Sequence, residues 1–280
     1  MKELPISIIE KIDRYQPVTV RELTLFPVRV RDARLFSLAR PALEFAQQSL
    51  PVALLNVPLL DAFWKLDQTA IAETGTQTGL LTGAVLSLML ALRLVDGKEG
   101  EKPLSGFLPV PEQARPDTLK EIQFKSADGV IRVTPRTFQK LRPILAAQNG
   151  AETPSETANP EILEMERLMR EQETSGLDPK LYDKIIFAAQ GCGVSEEEIY
   201  DWPLLKLERN VAVLVRKSDY LAVQLASMTG MVKFKDGNPV PSPYFAKRKS
   251  GLVSMRELQS AGNGADAAVR GQQDQNTNTT

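Results

Sequence analysis

The run from Leu80 to Val95 constrains the fold of this chain more than any other segment. It is apolar except for Thr82, Gly83, Ser87 and the single charge of Arg93. At ~1.5 Å per residue it falls short of the ~20 residues a helix needs to span a bilayer. It therefore reads as a helix buried in the core of a globular domain. The chain is long enough to supply that core, since 280 residues fit one large domain or two ordinary ones. A chain of this size buries a core without covalent staples. Aromatic residues make up only 6%, so the core must be built from Leu, Ile, Val and Ala.

The segments around this run divide by period and by punctuation. In residues 17–31, Val18, Val20, Val28 and Val30 alternate with polar neighbours, which suggests two short strands, the second interrupted at its start by Pro27. A helix follows from about Asp32 to Ser49, with Pro41 expected to break or kink it. Leu59 to Thr74 reads as a helix with Leu60, Phe63, Trp64 and Leu66 on its apolar side, and Gly75 and Gly79 punctuate the join to the buried run. Asp96 to Pro116 reads as a loop, because it holds three glycines and four prolines. A β-hairpin is expected next: Glu121–Lys125 alternates, Ser126 to Gly129 is turn chemistry, and Val130–Val133 returns.

Beyond residue 133 the helix starts are plain. Thr134-Pro135, Asn159-Pro160 and Asp178-Pro179 each place a capping side chain before a proline. The cap oxygen accepts an orphan backbone N–H, and proline has none to lose at the first helical position. Ser195 and Glu198 have capping-box spacing. Helices are predicted near 135–148, 160–173, 179–190, 195–200, 203–216 and 218–229, with Gly230 closing the last. Asn149 to Pro160 reads as an internal linker, and residues from Ser260 onward, rich in Gly, Ala, Gln, Asn and Thr, read as disordered. No internal repeat is visible. The fold class expected is α+β and mainly α-helical, with a mixed α/β region over 1–133, a helical region over 134–245, and a basic then polar tail over 246–280.

Composition narrows the chemistry. Histidine is absent, which removes the usual general base near neutral pH and the commonest zinc ligand, and excludes Ser-His-Asp and Cys-His arrangements. The one cysteine, Cys192, allows no intrachain disulfide. A formal net charge of −1 gives no field of one sign for nucleic acid or an anionic membrane. The start Met1-Lys2-Glu3-Leu4-Pro5 lacks the apolar stretch of a secretory signal.

Five constellations remain. Glu161, Glu164 and Glu166 share a short helix with Arg167 and Arg170; paired carboxylates can hold a divalent cation, but Glu166 and Arg170 also form an ordinary i, i+4 pair on a solvated face. Cys192, between Gly191 and Gly193, reads as a buried or half-buried turn residue without a catalytic base. Gly75, Gly79 and Gly83 lack the Lys-Ser/Thr ending of a phosphate loop and read as a packing feature. Lys247-Arg248-Lys249 is a basic triplet after aromatic Tyr244 and Phe245. The helix over 218–229 is apolar on more than one side, and Tyr220, Leu221, Leu225 and Met228, with Trp202, are the candidate protein-binding residues.

Two segments resemble proteins of bacteriophage and prophage tail modules. The first is Phe26-Pro-Val-Arg-Val-Arg-Asp32. The second runs from Phe138 through Asn159-Pro160-Glu161 and Val194-Ser-Glu-Glu-Glu-Ile-Tyr-Asp-Trp202 to Lys235. The stretch from Ser195 to Pro203 looks like the helical hairpins of tail assembly chaperones, and the resemblance covers about half of the chain. It implies a non-enzymatic protein of the host cytoplasm whose partner is the tape-measure protein, held before the tail tube polymerises. It implies no cofactor, no small-molecule substrate and no membrane. The residues 1–133 are not typical of small chaperones, so a structural tail or baseplate component is a second reading. A carboxylate-dependent enzyme built on Glu161 and Glu164 is a third.

Overall fold

A computed structural model describes residues 4–95, 106–126, 129–153 and 180–229. The fold is α+β and mainly helical. The chain divides into two units, residues 1–214 and 215–280.

The first unit opens with α1 (Ile6–Asp13), a helix outside the expected set, which buries Ile12. Strands β1 (Val18–Val20) and β2 (Leu23–Leu25) then pair antiparallel, with Val20 opposite Leu23. The turn between them is Arg21-Glu22, and Arg21 takes φ +54. The second expected strand was placed around Val28 and Val30, and the structure corrects it. Pro27 has no N–H for a ladder. Val28 N–H donates to Asn149 Oδ1 at 2.8 Å, and Val30 N–H donates to the Trp202 carbonyl at 2.9 Å. Both valines are buried, so their alternation marks an extended strap held by distant residues rather than a sheet strand.

Helix α2 (Ala33–Glu44) runs past Pro41 and stops at Phe45, which is extended, so the expected reach to Ser49 is too long and the break comes after the proline, not at it. Helix α3 (Leu59–Thr74) has the expected bounds. Gly75 caps its end at φ +72, and Gly79 opens α4 (Leu80–Ala91) at φ +80. Asp67 on α3 accepts from both the N–H and the hydroxyl of Thr78, which fixes the short connection. Helix α4 is buried along almost its whole length, as the Leu80–Val95 run predicts. Gly83 is where α4 meets α2: a Cβ there would lie 3.1 Å from Ala42 Cβ and 3.2 Å from the Leu38 carbonyl oxygen. Of the three spaced glycines, Gly83 therefore serves packing, while Gly75 and Gly79 supply left-handed turns.

The segment read as a loop over 96–116 contains β3 (Phe107–Glu112), the edge of a three-stranded antiparallel sheet in the order β3-β4-β5. Pro109 and Pro111 hid it, since proline is tolerated on an edge, and the register slips beside Pro111. Strands β4 (Arg115–Ser126) and β5 (Gly129–Val133) form the expected hairpin, with β4 longer than expected. Asp61 of α3 accepts the Leu119 N–H at 2.7 Å and ties this sheet to the helices.

Helix α5 (Pro135–Gln148) has the expected bounds, and Thr134 Oγ1 caps it by accepting from Thr137 N–H. Its Phe138, Leu141, Ile144 and Leu145 lie in the same core as Phe36, Phe63, Leu88 and Phe124. The core thus runs across residue 133, where a boundary between two regions was expected. The expected linker at Asn149 likewise begins inside the core, because Asn149 and Ala151 are buried. The predicted helix 160–173, the starts at Asn159-Pro160 and Asp178-Pro179, Gly230 and the tail 246–280 lie outside the described residues.

Candidate protein-binding surface

Three helices make up the region in which the residues singled out for binding lie. They are α6 (Leu181–Cys192), α7 (Glu196–Tyr200) and α8 (Leu204–Met228). Gly193 ends α6 at φ +68, and Ser195 Oγ caps α7 by accepting from Glu198 N–H. Expectation placed two helices at 203–216 and 218–229. One helix of 25 residues runs through instead, because no glycine or proline interrupts Arg216–Asp219.

Up to Leu214, α8 belongs to the first unit. Val30, Ile185, Ala188, Ile199, Trp202 and Leu207 form a small second hydrophobic cluster there. The strap at Val28–Val30 seats it: Arg29 pairs with Pro203, and Leu204 N–H donates to the Val28 carbonyl at 2.8 Å. Arg31 and Arg29 both pair with Asp201. Helix α6 approaches α8 at Gly191, where a Cβ would lie 2.4 Å from a Leu214 methyl.

Trp202 sits within this cluster at 8% exposure. Its Nε1 donates to Glu198 Oε1 at 3.4 Å, and Lys206 Nζ stands 3.8 Å over its ring. Trp202 is thus a core residue whose apolar area is already used, and its place among the candidate binding residues is corrected. The Trp202 carbonyl accepts from Val30 N–H, which holds the turn Asp201–Pro203 against the strap.

The other four candidates lie on the part of α8 in the second unit. Tyr220 is half-buried; Leu221, Leu225 and Met228 are 52%, 64% and 78% exposed. The spacing of these three, i, i+4 and i+7, places them on one helical face. From Tyr220 to Thr229 the chain carries no charged residue. The exposed face is apolar, and its polar neighbours, Gln224 and Ser227, are uncharged.

The signal that sequence reasoning missed is longer than this patch. Leu204, Leu207, Val211, Leu214, Ser218, Leu221, Leu225 and Met228 alternate spacings of three and four, the seam pattern of a coiled coil. Splitting α8 at Ser218, the one polar member, concealed it.

The remaining constellations do not join this surface. Cys192 is exposed in the last turn of α6, not buried in a turn, because Gly193 and not Cys192 takes the left-handed cap. Glu161, Glu164, Glu166, Arg167, Arg170 and Lys247-Arg248-Lys249 lie outside the described residues. Among the described residues no cluster of acidic or cysteine side chains has a metal-binding arrangement, and no helix is long and apolar enough to cross a membrane. In comparisons with known proteins, the chain matches no family model, no curated protein and no solved structure.

Proposed function

We propose that the protein is a non-enzymatic phage tail assembly factor, a chaperone that holds helical segments of the tape-measure protein in the host cytoplasm before the tail tube forms. The observation that carries this reading is the uncharged face of Leu221, Leu225 and Met228 on α8. A helix-in-groove or helix-on-helix contact is read by anchors at this spacing. A face without charge selects a client by apolar area and shape rather than by ion pairs, which suits a protein that must hold many similar amphipathic helices. The resemblance of Ser195–Pro203 to chaperone hairpins supports the same reading.

The test is co-expression with a phage tail tape-measure protein. The expected result is a soluble tape-measure protein that co-elutes with the chain, and loss of co-elution when Leu221 and Leu225 are both changed to Gln. Unchanged solubility and separate elution overturn the reading. Mass spectrometry of purified particles separates the chaperone from a structural tail or baseplate component: a chaperone is missing from finished virions.

A further inference from the structure

A groove of about 460 Å³ lies in the first unit between the β1–β2 turn and β5, with α5 beneath it. Strand β5 is the outer strand of its sheet, and among the described residues no strand pairs with its other side. The register says which of its main-chain groups face outward. Lys125 N–H donates to the Gly106 carbonyl, on the β3 side. In an antiparallel strand the N–H and C=O of one residue point the same way, and successive residues point opposite ways. Lys125 therefore forms a non-hydrogen-bonded pair with its partner Val130, as does Gln123 with Arg132. The N–H and C=O of Val130 and Arg132 point away from β4, and both residues line the groove.

The groove is also charged. Arg21, Arg132 and Lys140 line it against one carboxylate, Glu22, and Arg132 reaches Glu121 at 3.9 Å. Arg21 occupies the first central position of a two-residue hairpin turn with φ +54, where glycine is the residue without steric cost. The cation of Arg21 stands at that turn in spite of the cost. Val20 and Leu23 supply apolar wall beside the charges.

We infer that this groove is a docking site for an extended acidic segment of a partner protein, which adds a strand to β5. Main-chain bonds to Val130 and Arg132 give the strand its register, and Arg21, Arg132 and Lys140 select carboxylates on it. Charge decides the occupant: a second copy paired β5 to β5 would bring Arg21, Arg132 and Lys140 of both copies to one seam, and cations at an exposed edge are a device against self-association. The inference is independent of the α8 face, and either can fail alone.

The probe is a fluorescent, end-capped hexapeptide, Glu-Val-Glu-Ile-Glu-Val, titrated into the full chain. The expected result is saturable binding by anisotropy, with slowed amide hydrogen exchange at Val130 and Arg132. Changing both Arg21 and Lys140, which are exposed, to Glu is expected to weaken binding by about tenfold or more while far-UV dichroism stays unchanged. A peptide N-methylated at alternate backbone nitrogens is expected not to bind, and it tests the unaltered chain. No saturable binding, equal affinity for the N-methylated peptide, or binding without new protection at Val130 and Arg132 overturns the inference.

Discussion

Residues 204–214 and 215–228 of α8 carry one continuous three-and-four spacing, apolar except at Ser218, yet their surroundings differ. In the first stretch Leu205 and Leu207 are buried, and Leu207 has no exposed area at all. In the second, Leu221, Leu225 and Met228 are more than half exposed. Periodicity decides which side chains share a face. What covers that face depends on other parts of the chain, here the strap at Val28–Val30 and helix α6. A heptad pattern alone therefore serves equally for a buried core and for an exposed face.

The sharpest way to break the comparison is to truncate matching leucines on the two stretches. Leu207→Ala should cost ~2–5 kcal/mol, since it removes a fully buried side chain and leaves a cavity, and chemical denaturation would register it. A cost below ~1 kcal/mol would mean that the second cluster is not a packed core. Asn149→Ala comes next, at ~1–3 kcal/mol, because it strips the buried Val28 N–H of its acceptor and loosens the strap on which Leu204 rests. Its effect should appear in denaturation and in faster hydrogen exchange of the Val28 and Leu204 amides.

Gly83→Ala tests packing away from α8 and sets the scale for the core. The added methyl meets the α2 backbone, so a loss of ~1–3 kcal/mol is expected, read as a lowered Tm. Asp201→Ala should cost only ~0.2–1 kcal/mol, because the pairs with Arg29 and Arg31 are exposed and screened. The smallest effect belongs to the other end of the comparison. Leu225→Ala should change stability by less than ~0.5 kcal/mol, while, under the proposed function, weakening capture of a tape-measure helix. A large loss of stability from this variant would place the second stretch in a core.

Much of the fold was legible because its signals are local. Thr134-Pro135 set the start of α5, and Ser195 that of α7, because a cap is a contact between residues three apart. Gly75 and Gly79 marked their turns because the backbone there needs φ that only glycine adopts freely. The alternation in β4 and β5 and the apolar run of α4 report burial directly. The failures share a cause. Strand β3 was hidden by prolines that only an edge position tolerates, and whether a strand is an edge is a property of the sheet. Val28 and Val30 looked like a strand because extended backbone and alternating burial are all that sequence records, whereas their partners, Asn149 and Trp202, lie far along the chain.

The candidate site divides in the same way. The sequence by itself determined that Leu221, Leu225 and Met228 share a helical face and that no charge interrupts it, since 3.6 residues per turn and side-chain chemistry suffice for both. Only the tertiary structure decided that Trp202 belongs to the core, and that Val130 and Arg132, on the outer strand of a sheet, line a basic groove. Burial and free strand edges depend on which distant segments arrive, and a local pattern carries no record of them.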